Sequence, residues 1–504
     1  MSSFAGKRRG TALALSALVL GSLVGCGSTV QYSATTSSVS GGLDPAQAQP
    51  NSAATLTQGQ GQSASGPGAV SAPASGSSSQ PYASAVNPSA GQVGSSFGAS
   101  GPSGASVPGS GATTPIDVGF LILKNQDSFA GSVGVNAGGA AGNPQAQVRL
   151  IVADVNKHGG IGGRQVKPIV AEFDANNAAA TDSQMQAICT LWTQDNHVAA
   201  AINSTLYAPM NNLEACLHSA GVPFLQMREW PTDFRKYPNV VNTAMLELKA
   251  ASALYVDRLQ AQGFFGTKPT IGLMRWDSPV TQAATEQGLK PELQRYGYKV
   301  DREIAVADDE NFASGIQNAE LKFRSSGVDH VLFLAPSGGA LFFMLDAESQ
   351  HWRPRYGVTS YDAPAQLLQG TVPAGQLQNA VGVGWYPVLD VDLQHDPGGN
   401  PSATACEKVY AAGGSPANTR GNQRNSLGYC DGLWVLQHAA ALRGTSPVQL
   451  LAGIHALGTT YRSPYSFATR LTPDRFTGPA AARDVRFEAG CSCFTYVGPP
   501  RPVS

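Results

Sequence analysis

The chain has 504 residues, more than one hydrophobic core supports, so at least two compact units are expected. Its formal net charge of −1, with 13% charged residues, lacks the clustered basic surface that phosphate backbones require, which argues against nucleic acid as a partner. At the N-terminus, Lys7, Arg8 and Arg9 precede an apolar run from Thr11 to Val24, which is short for the ~30 Å of a bilayer's hydrocarbon. This pattern reads as an export signal over residues 1–25. Leu23-Val24-Gly25-Cys26 then fits a bacterial lipobox, in which the Cys26 thiol accepts diacylglycerol. The Arg8-Arg9 pair leaves a twin-arginine export route open beside the general one. The expected location is outside the cytoplasm, anchored to the cell membrane by the lipid on Cys26.

Residues 26–114 form the next region. From Gly27 to Thr114 there is no Lys or Arg and one acid, Asp44, among Ser, Gly, Ala, Pro, Gln and Thr. Such a segment has too little apolar surface to offset chain entropy, so a disordered tether is expected, with a reach of ~50 Å. From Pro115 onward, strands and helices alternate. Ile116 to Leu123 reads as a strand. Val148, Ile151, Val152 and Val155 place one apolar stripe on a helix ending near Lys157. Gly159-Gly160 and Gly162-Gly163 turn the chain into a second strand, Val166 to Phe173, giving a βαβ crossover. A helix over Met185 to Gln194, a strand over His197 to Ile202, a helix over Pro209 to Ala220 and a strand from Val222 follow. A second alternating run starts near Glu247. It comprises helix 247–262, strand Thr270 to Arg275, a helix from about Val280 interrupted or kinked at Pro291, and strand Tyr298 to Val306. Helix Phe312 to Ser326, strand Val328 to Leu334, helix Gly339 to Ser349 and strand Tyr356 to Tyr361 complete it. Helices are expected at Pro401 to Ala411, Ser426 to Arg443 and Pro447 to Leu457, and a small β element over Phe467 to Val497.

The helix ending A-D-V-N-K-H-G-G-I-G-G-R, followed by a strand ending E-F-D, resembles the type I periplasmic binding proteins, particularly their branched-chain amino-acid and amide group. There the same place reads as a helix ending IN-x-x-GGI-x-G before a strand ending in aspartate, and A-G-V-P-F at 220–224 echoes the same pattern. The resemblance implies an α/β fold of two hinged, doubly wound lobes. It places the C-terminal helices back on the first lobe, so that residues 115–245 and about 380–465 form one lobe and about 246–379 with 466–504 the other. It also implies a monomer that captures a small-molecule ligand and delivers it to ABC permease subunits.

In an open parallel sheet, ligands lie beyond the carboxyl ends of the strands. Asn203-Ser204-Thr205 follows a buried strand, where hydroxyls and helix N–H groups suit a carboxylate; plain helix capping is the alternative. The resemblance favours ligand contact there. Met227-Arg228-Glu229-Trp230 follows the next strand, with Trp230 either a pocket wall or part of a surface turn. In the second lobe, Trp276 and Asp277 end a strand, and relatives carry an acid or aromatic here for the ligand's ammonium; Asp277 capping the next helix is the alternative. Tyr361, Asp362 and Trp385 end further strands and add an apolar, cation-accepting wall. The loop from Lys124 to Pro144 is longer and richer in Gly and Ala than the family's, leaving Ser128 and Phe129 as the nearest contacts in it.

Removing Cys26 from seven cysteines leaves Cys189, Cys216, Cys406, Cys430, Cys491 and Cys493, an even number that favours disulfides in an exported protein. Cys189 with Cys216 and Cys406 with Cys430 fall on neighbouring helices and are the expected pairs. Cys491-Ser-Cys493 lacks a second pair at zinc-binding spacing, and the eight histidines are dispersed, so neither a metal nor a cofactor is expected. No G-x-x-x-x-G-K-[ST], H-E-x-x-H or G-x-S-x-G motif occurs. The chain therefore reads as a solute receptor and not an enzyme. The alternatives are a cell-wall-associated lipoprotein enzyme, or a sensor or adhesion module built on the same cleft.

Overall fold

The computed structural model describes residues 114–503, apart from 126–127, 129–141, 205–209, 228–231, 308–310, 335–336, 370–371, 393–394, 396–399 and 416–419. Cys26, the export signal and the tether lie outside the described residues, as do Phe129, Thr205 and Trp230. The described residues belong to one compact unit.

The first sheet begins with β1 (Ile116–Lys124), α1 (Pro144–Lys157) and β2 (Val166–Asp174). Asn143 starts α1: its side chain accepts the Ala146 N–H at 2.9 Å, and Pro144 occupies the first turn, where no N–H is needed. The helix buries Val148, Ile151, Val152 and Val155, each contributing roughly 1.5–3 kcal/mol of apolar transfer. After it the chain turns back sharply. Gly160 has φ +69°, and a Cβ there would stand 1.9 Å from the Arg164 carbonyl oxygen, so only glycine fits. Next come α2 (Thr181–Thr190), β3 (Ala200–Asn203), α3 (Asn211–Ser219), β4 (Phe224–Gln226) and β5 (Val240–Asn242). The strands pair in parallel in the order β2-β1-β3-β4-β5.

The second sheet has the order β12-β11-β10-β9-β8-β6-β7. Its parallel strands are β6 (Ile271–Trp276), β7 (Arg302–Val306), β8 (His330–Leu334), β9 (Arg355–Thr359) and β10 (Val381–Gly384). The chain enters this sheet through α4 (Leu248–Ala261). A helix starting at α5 (Pro279–Ala284) widens into a π turn at Thr285–Leu289 and continues as α6 (Lys290–Arg295). The wide turn lies just before Pro291, which has no N–H to give a regular helix, so the interruption expected at the proline takes the form of a π turn. The tail forms the antiparallel hairpin β11 (Ala481–Glu488) and β12 (Cys493–Pro502) on the sheet's edge.

The return to the first sheet, expected at about 380, comes later. Val381–Gly384 pairs with β9, and the contact is close enough that a Cβ on Gly382 would lie 1.7 Å from the Val358 carbonyl oxygen. Only then does the chain pass to α7 (Pro401–Ala412), α8 (Arg420–Arg443) and α9 (Pro447–Ala456), with α7 and α8 packing on α1. Three segments therefore cross between the sheets: 243–247, 385–400 and 457–480. The third runs along the edge of the first sheet, where Thr477 bridges Asn242 of β5. Buried Asp431 on α8 holds this segment by accepting from the Tyr461 hydroxyl and from Ser463 Oγ at 2.9 Å. Asn400 Nδ2 ties the second segment to the third, donating to the Ser463 carbonyl at 2.7 Å and the Ser466 carbonyl at 3.0 Å.

Disulfides join Cys189 to Cys216, Cys406 to Cys430 and Cys491 to Cys493. The first two link neighbouring helices, and the third spans the β11–β12 turn. His395 lies within 4.8 Å of both sulfurs of the third pair. Among the described residues, no helix is long and apolar enough to cross a membrane.

Candidate functional site

The carboxyl ends of the first sheet's strands carry a polar cluster on the β1–β2 side. Asn125 Nδ2 donates to Asp174 Oδ1 at 2.9 Å, the Asn176 N–H donates to the same oxygen at 3.0 Å, and Asn176 Nδ2 reaches Ser128 Oγ at 3.3 Å. The bond from Asn125, then that from Asn176, holds the Asp174 carboxyl below the usual carboxylate range. Ser128 is exposed within this cluster.

At the end of β3, Asn203 and Ser204 are fully buried. Asn203 Nδ2 approaches Met210 Sδ at 3.5 Å. Ser204 lies beneath α8: a Cβ on Gly428 would come within 1.8 Å of Ser204 Oγ and 2.8 Å of the Tyr465 hydroxyl. Helix α3 starts only at Asn211 with Met210 in the cap position, so Ser204 is not its cap.

In the second sheet, Trp276 is buried at the end of β6, with its ring edge-on to Phe312 at 6.5 Å. Asp277 is exposed and lies 3.7 Å from Arg275. Ser278, not Asp277, caps α5, its Oγ accepting the Thr281 N–H at 3.2 Å. After β9, the Tyr361 hydroxyl donates to the Leu246 carbonyl at 2.7 Å, and its ring meets Trp385 edge-on at 5.7 Å. Ser360 Oγ accepts the Trp385 N–H at 2.8 Å and the Tyr386 N–H at 3.2 Å.

Asp362, expected in an apolar, cation-accepting wall, is fully buried within its own turn. Its Oδ2 accepts from the Thr359 N–H at 2.7 Å and from Thr359 Oγ1 at 2.9 Å, closing a capping box. Burial outweighs those bonds and pushes its pKa up to about 8, so at neutral pH the group is mostly protonated and offers no countercharge.

The structure thus brings Tyr361, Asp362 and Trp385 into one buried cluster. It links Ser204 to that cluster through Gly428, Tyr465 and Tyr386, whose ring lies 4.8 Å from that of Tyr465. Ser128 stands apart at the opposite edge of the first sheet from β5. Two orphan donors mark the strand ends: the indole N–H groups of Trp276 and Trp385 are buried without a hydrogen-bond partner among the described residues. A cleft of about 500 Å³ lies beside the crossing segments. Arg235, Glu247, Lys249, Gln287, Arg470 and Arg475 line it. None of these was singled out from sequence, although Arg470, Asp474 and Arg475 lie close together in the chain and their charge clustering was a usable clue.

A family model described as periplasmic binding protein matches residues 132–486. Among solved structures, a possible leucine/isoleucine/valine-binding protein from Rhodopirellula baltica SH 1 is 12% identical, over 77% of this chain and 97% of its own, with a TM-score of 0.56. A solute-binding protein of an ABC transporter from Rhodopseudomonas palustris HaA2, in complex with p-hydroxybenzoic acid, is 14% identical over 77% and 98%, at 0.56. A fatty acid ABC transporter substrate-binding protein from Thermomonospora curvata is 15% identical over 77% and 92%, at 0.54. These likenesses establish a shared fold. No curated protein matches the chain in sequence.

Proposed function

Because the chain belongs to the periplasmic binding protein family, we propose that it is a solute receptor capturing a small carboxylate-bearing molecule for an ABC importer. The observation that carries this reading is the pair of orphan indole N–H donors, Trp276 and Trp385, at the carboxyl ends of two parallel strands. A buried donor without an acceptor costs about 1–3 kcal/mol, and a ligand oxygen relieves that cost. The related proteins support the same chemistry, since p-hydroxybenzoic acid and fatty acids both carry a carboxylate. Amino acids share that group and stay within the proposed class.

The mechanism is closure. A ligand bridging the two sheets stabilises the closed arrangement by its differential affinity, and the crossing segments bend. Upstream, acylation of Cys26 anchors the receptor and the segment 27–114 serves as its tether, which leaves the binding unit outside the cytoplasm. Thermal-shift screening of residues 103–504 against leucine, isoleucine, p-hydroxybenzoate and decanoate tests the reading. A ligand at a hundred times its Kd stabilises by about 2.7 kcal/mol, a readily measured rise in melting temperature. Replacing Trp385 with Phe then weakens binding of the hit. Absence of a shift with every carboxylate, or unchanged affinity in both Trp276→Phe and Trp385→Phe, contradicts it.

A further inference from the structure

We propose that the cleft beside the crossing segments is a second ligand site, distinct from the strand ends, for a small organic polycarboxylate. Its volume of about 500 Å³ falls in the range of small-molecule sites. Its walls come from both sides of the hinge: residues 232–235 after β4, the start of α4, the face of α5 carrying Pro279 and Ala283, and the turn at 470–477. That turn runs beside β5, the opposite edge of the first sheet from the Ser128–Asn176 cluster.

Four cations line this cleft, Arg235, Lys249, Arg470 and Arg475, and none has an ion-pair partner among the described residues. Arg475 is half-buried, and its guanidinium donates to the Thr477 carbonyl at 3.0 Å and to the Pro479 carbonyl, which fixes the charge in place. Burial, then the neighbouring Arg470, lower its pKa and outweigh the opposing pull of Asp474. Three acids share the lining. Asp233 accepts the N–H groups of Arg235 and Lys236 in its own turn, at 3.1 and 3.2 Å, and Asp474 is bonded to Thr472. Glu247 stands at the N-cap of α4 without a side-chain capping bond, so the first-turn N–H groups of that helix add to the positive side. Cations drawn from separate segments, outnumbering the acids beside them, fit several carboxylates on one small molecule better than a single charge. A ligand held by both walls of a hinge shifts the open–closed equilibrium, so occupancy here couples to binding at the strand ends.

Citrate is the probe. Isothermal titration of the mature full-length chain at low salt is expected to give one citrate per chain, with affinity falling as salt rises. Arg470→Gln and Lys249→Gln, whose side chains make no bond described here, should each weaken citrate by about tenfold without changing the melting temperature of the free protein. Arg475→Lys keeps the charge and removes the planar fork, so it should weaken citrate less than Arg470→Gln and Lys249→Gln combined. Three results overturn the proposal: no citrate binding, citrate binding that the Arg470 and Lys249 variants leave unchanged, or equal binding of neutral glycerol. Binding of p-hydroxybenzoate or leucine is a separate readout, so loss of either site is distinguishable from loss of the other.

Discussion

The Tyr361 hydroxyl donates a 2.7 Å hydrogen bond to the carbonyl of Leu246, joining the end of a second-sheet strand to the first segment that crosses between the sheets. Both residues are buried, so the bond is shielded from water and fixes where the crossing segment leaves the second sheet. Replacing Tyr361 with Phe keeps the ring against Trp385 and strips the carbonyl of its donor. The expected loss is about 1–3 kcal/mol of stability, measured by urea unfolding, with no change in helix content by circular dichroism.

Asp362 sets a pH dependence with a definite sign. Its folded pKa, about 8, lies above the ordinary value of 3.8, so the folded state holds a proton that the unfolded state releases. Its contribution is therefore fully present at low pH, and it declines as pH rises from about 4 through about 8. Asp431 and Asp346 act in the same direction, their pKa values raised by burial to about 6. Over the interval from 6 to 8 Asp362 loses most of its contribution, while His455, its pKa lowered by burial, acts in the opposite direction, so the comparison with a variant carries the assignment. Asp362→Asn should flatten the decline of unfolding free energy over that interval, read by urea titrations at successive pH values. An unchanged slope refutes the assignment.

Gly428 and Ser204 are matched in volume across the α8–β3 contact. A Cβ on Gly428 would stand 1.8 Å from Ser204 Oγ, so Gly428→Ala should cost about 1–3 kcal/mol through overpacking. Adding Ser204→Gly removes the clashing hydroxyl and should recover part of that loss. The double-mutant cycle reads the coupling directly, and strict additivity contradicts it.

The Cys406–Cys430 bond joins two helices on the first sheet and buries both sulfurs. Replacing both cysteines with Ala should lower stability by about 2–4 kcal/mol. Mass spectrometry of the non-reduced mature chain should find no free thiol among Cys189, Cys216, Cys406, Cys430, Cys491 and Cys493.

The alternation of elements was legible wherever burial follows a simple period. The stripe Val148, Ile151, Val152 and Val155 and the glycines after it located α1 and its crossover, because local geometry dictates both. The sheet assignment of Val381–Gly384 was not legible, since its place depends on pairing with β9, a contact that leaves no periodic trace in a short strand. Strand ends were a sound guide to Trp276 and Trp385, yet sequence could not tell an acid facing a ligand from one closing its own capping box, as Asp362 does. Arg235 and Lys249 are far in the chain from Arg470 and Arg475, and the two pairs meet only where the crossing segments run together.

Closure on a bound solute is the central claim, and small-angle X-ray scattering of residues 103–504 tests it most directly. With a saturating amount of whichever carboxylate raises the melting temperature, the radius of gyration should fall as the two sheets close around it. A solute that binds tightly and leaves the scattering curve unchanged would contradict the account.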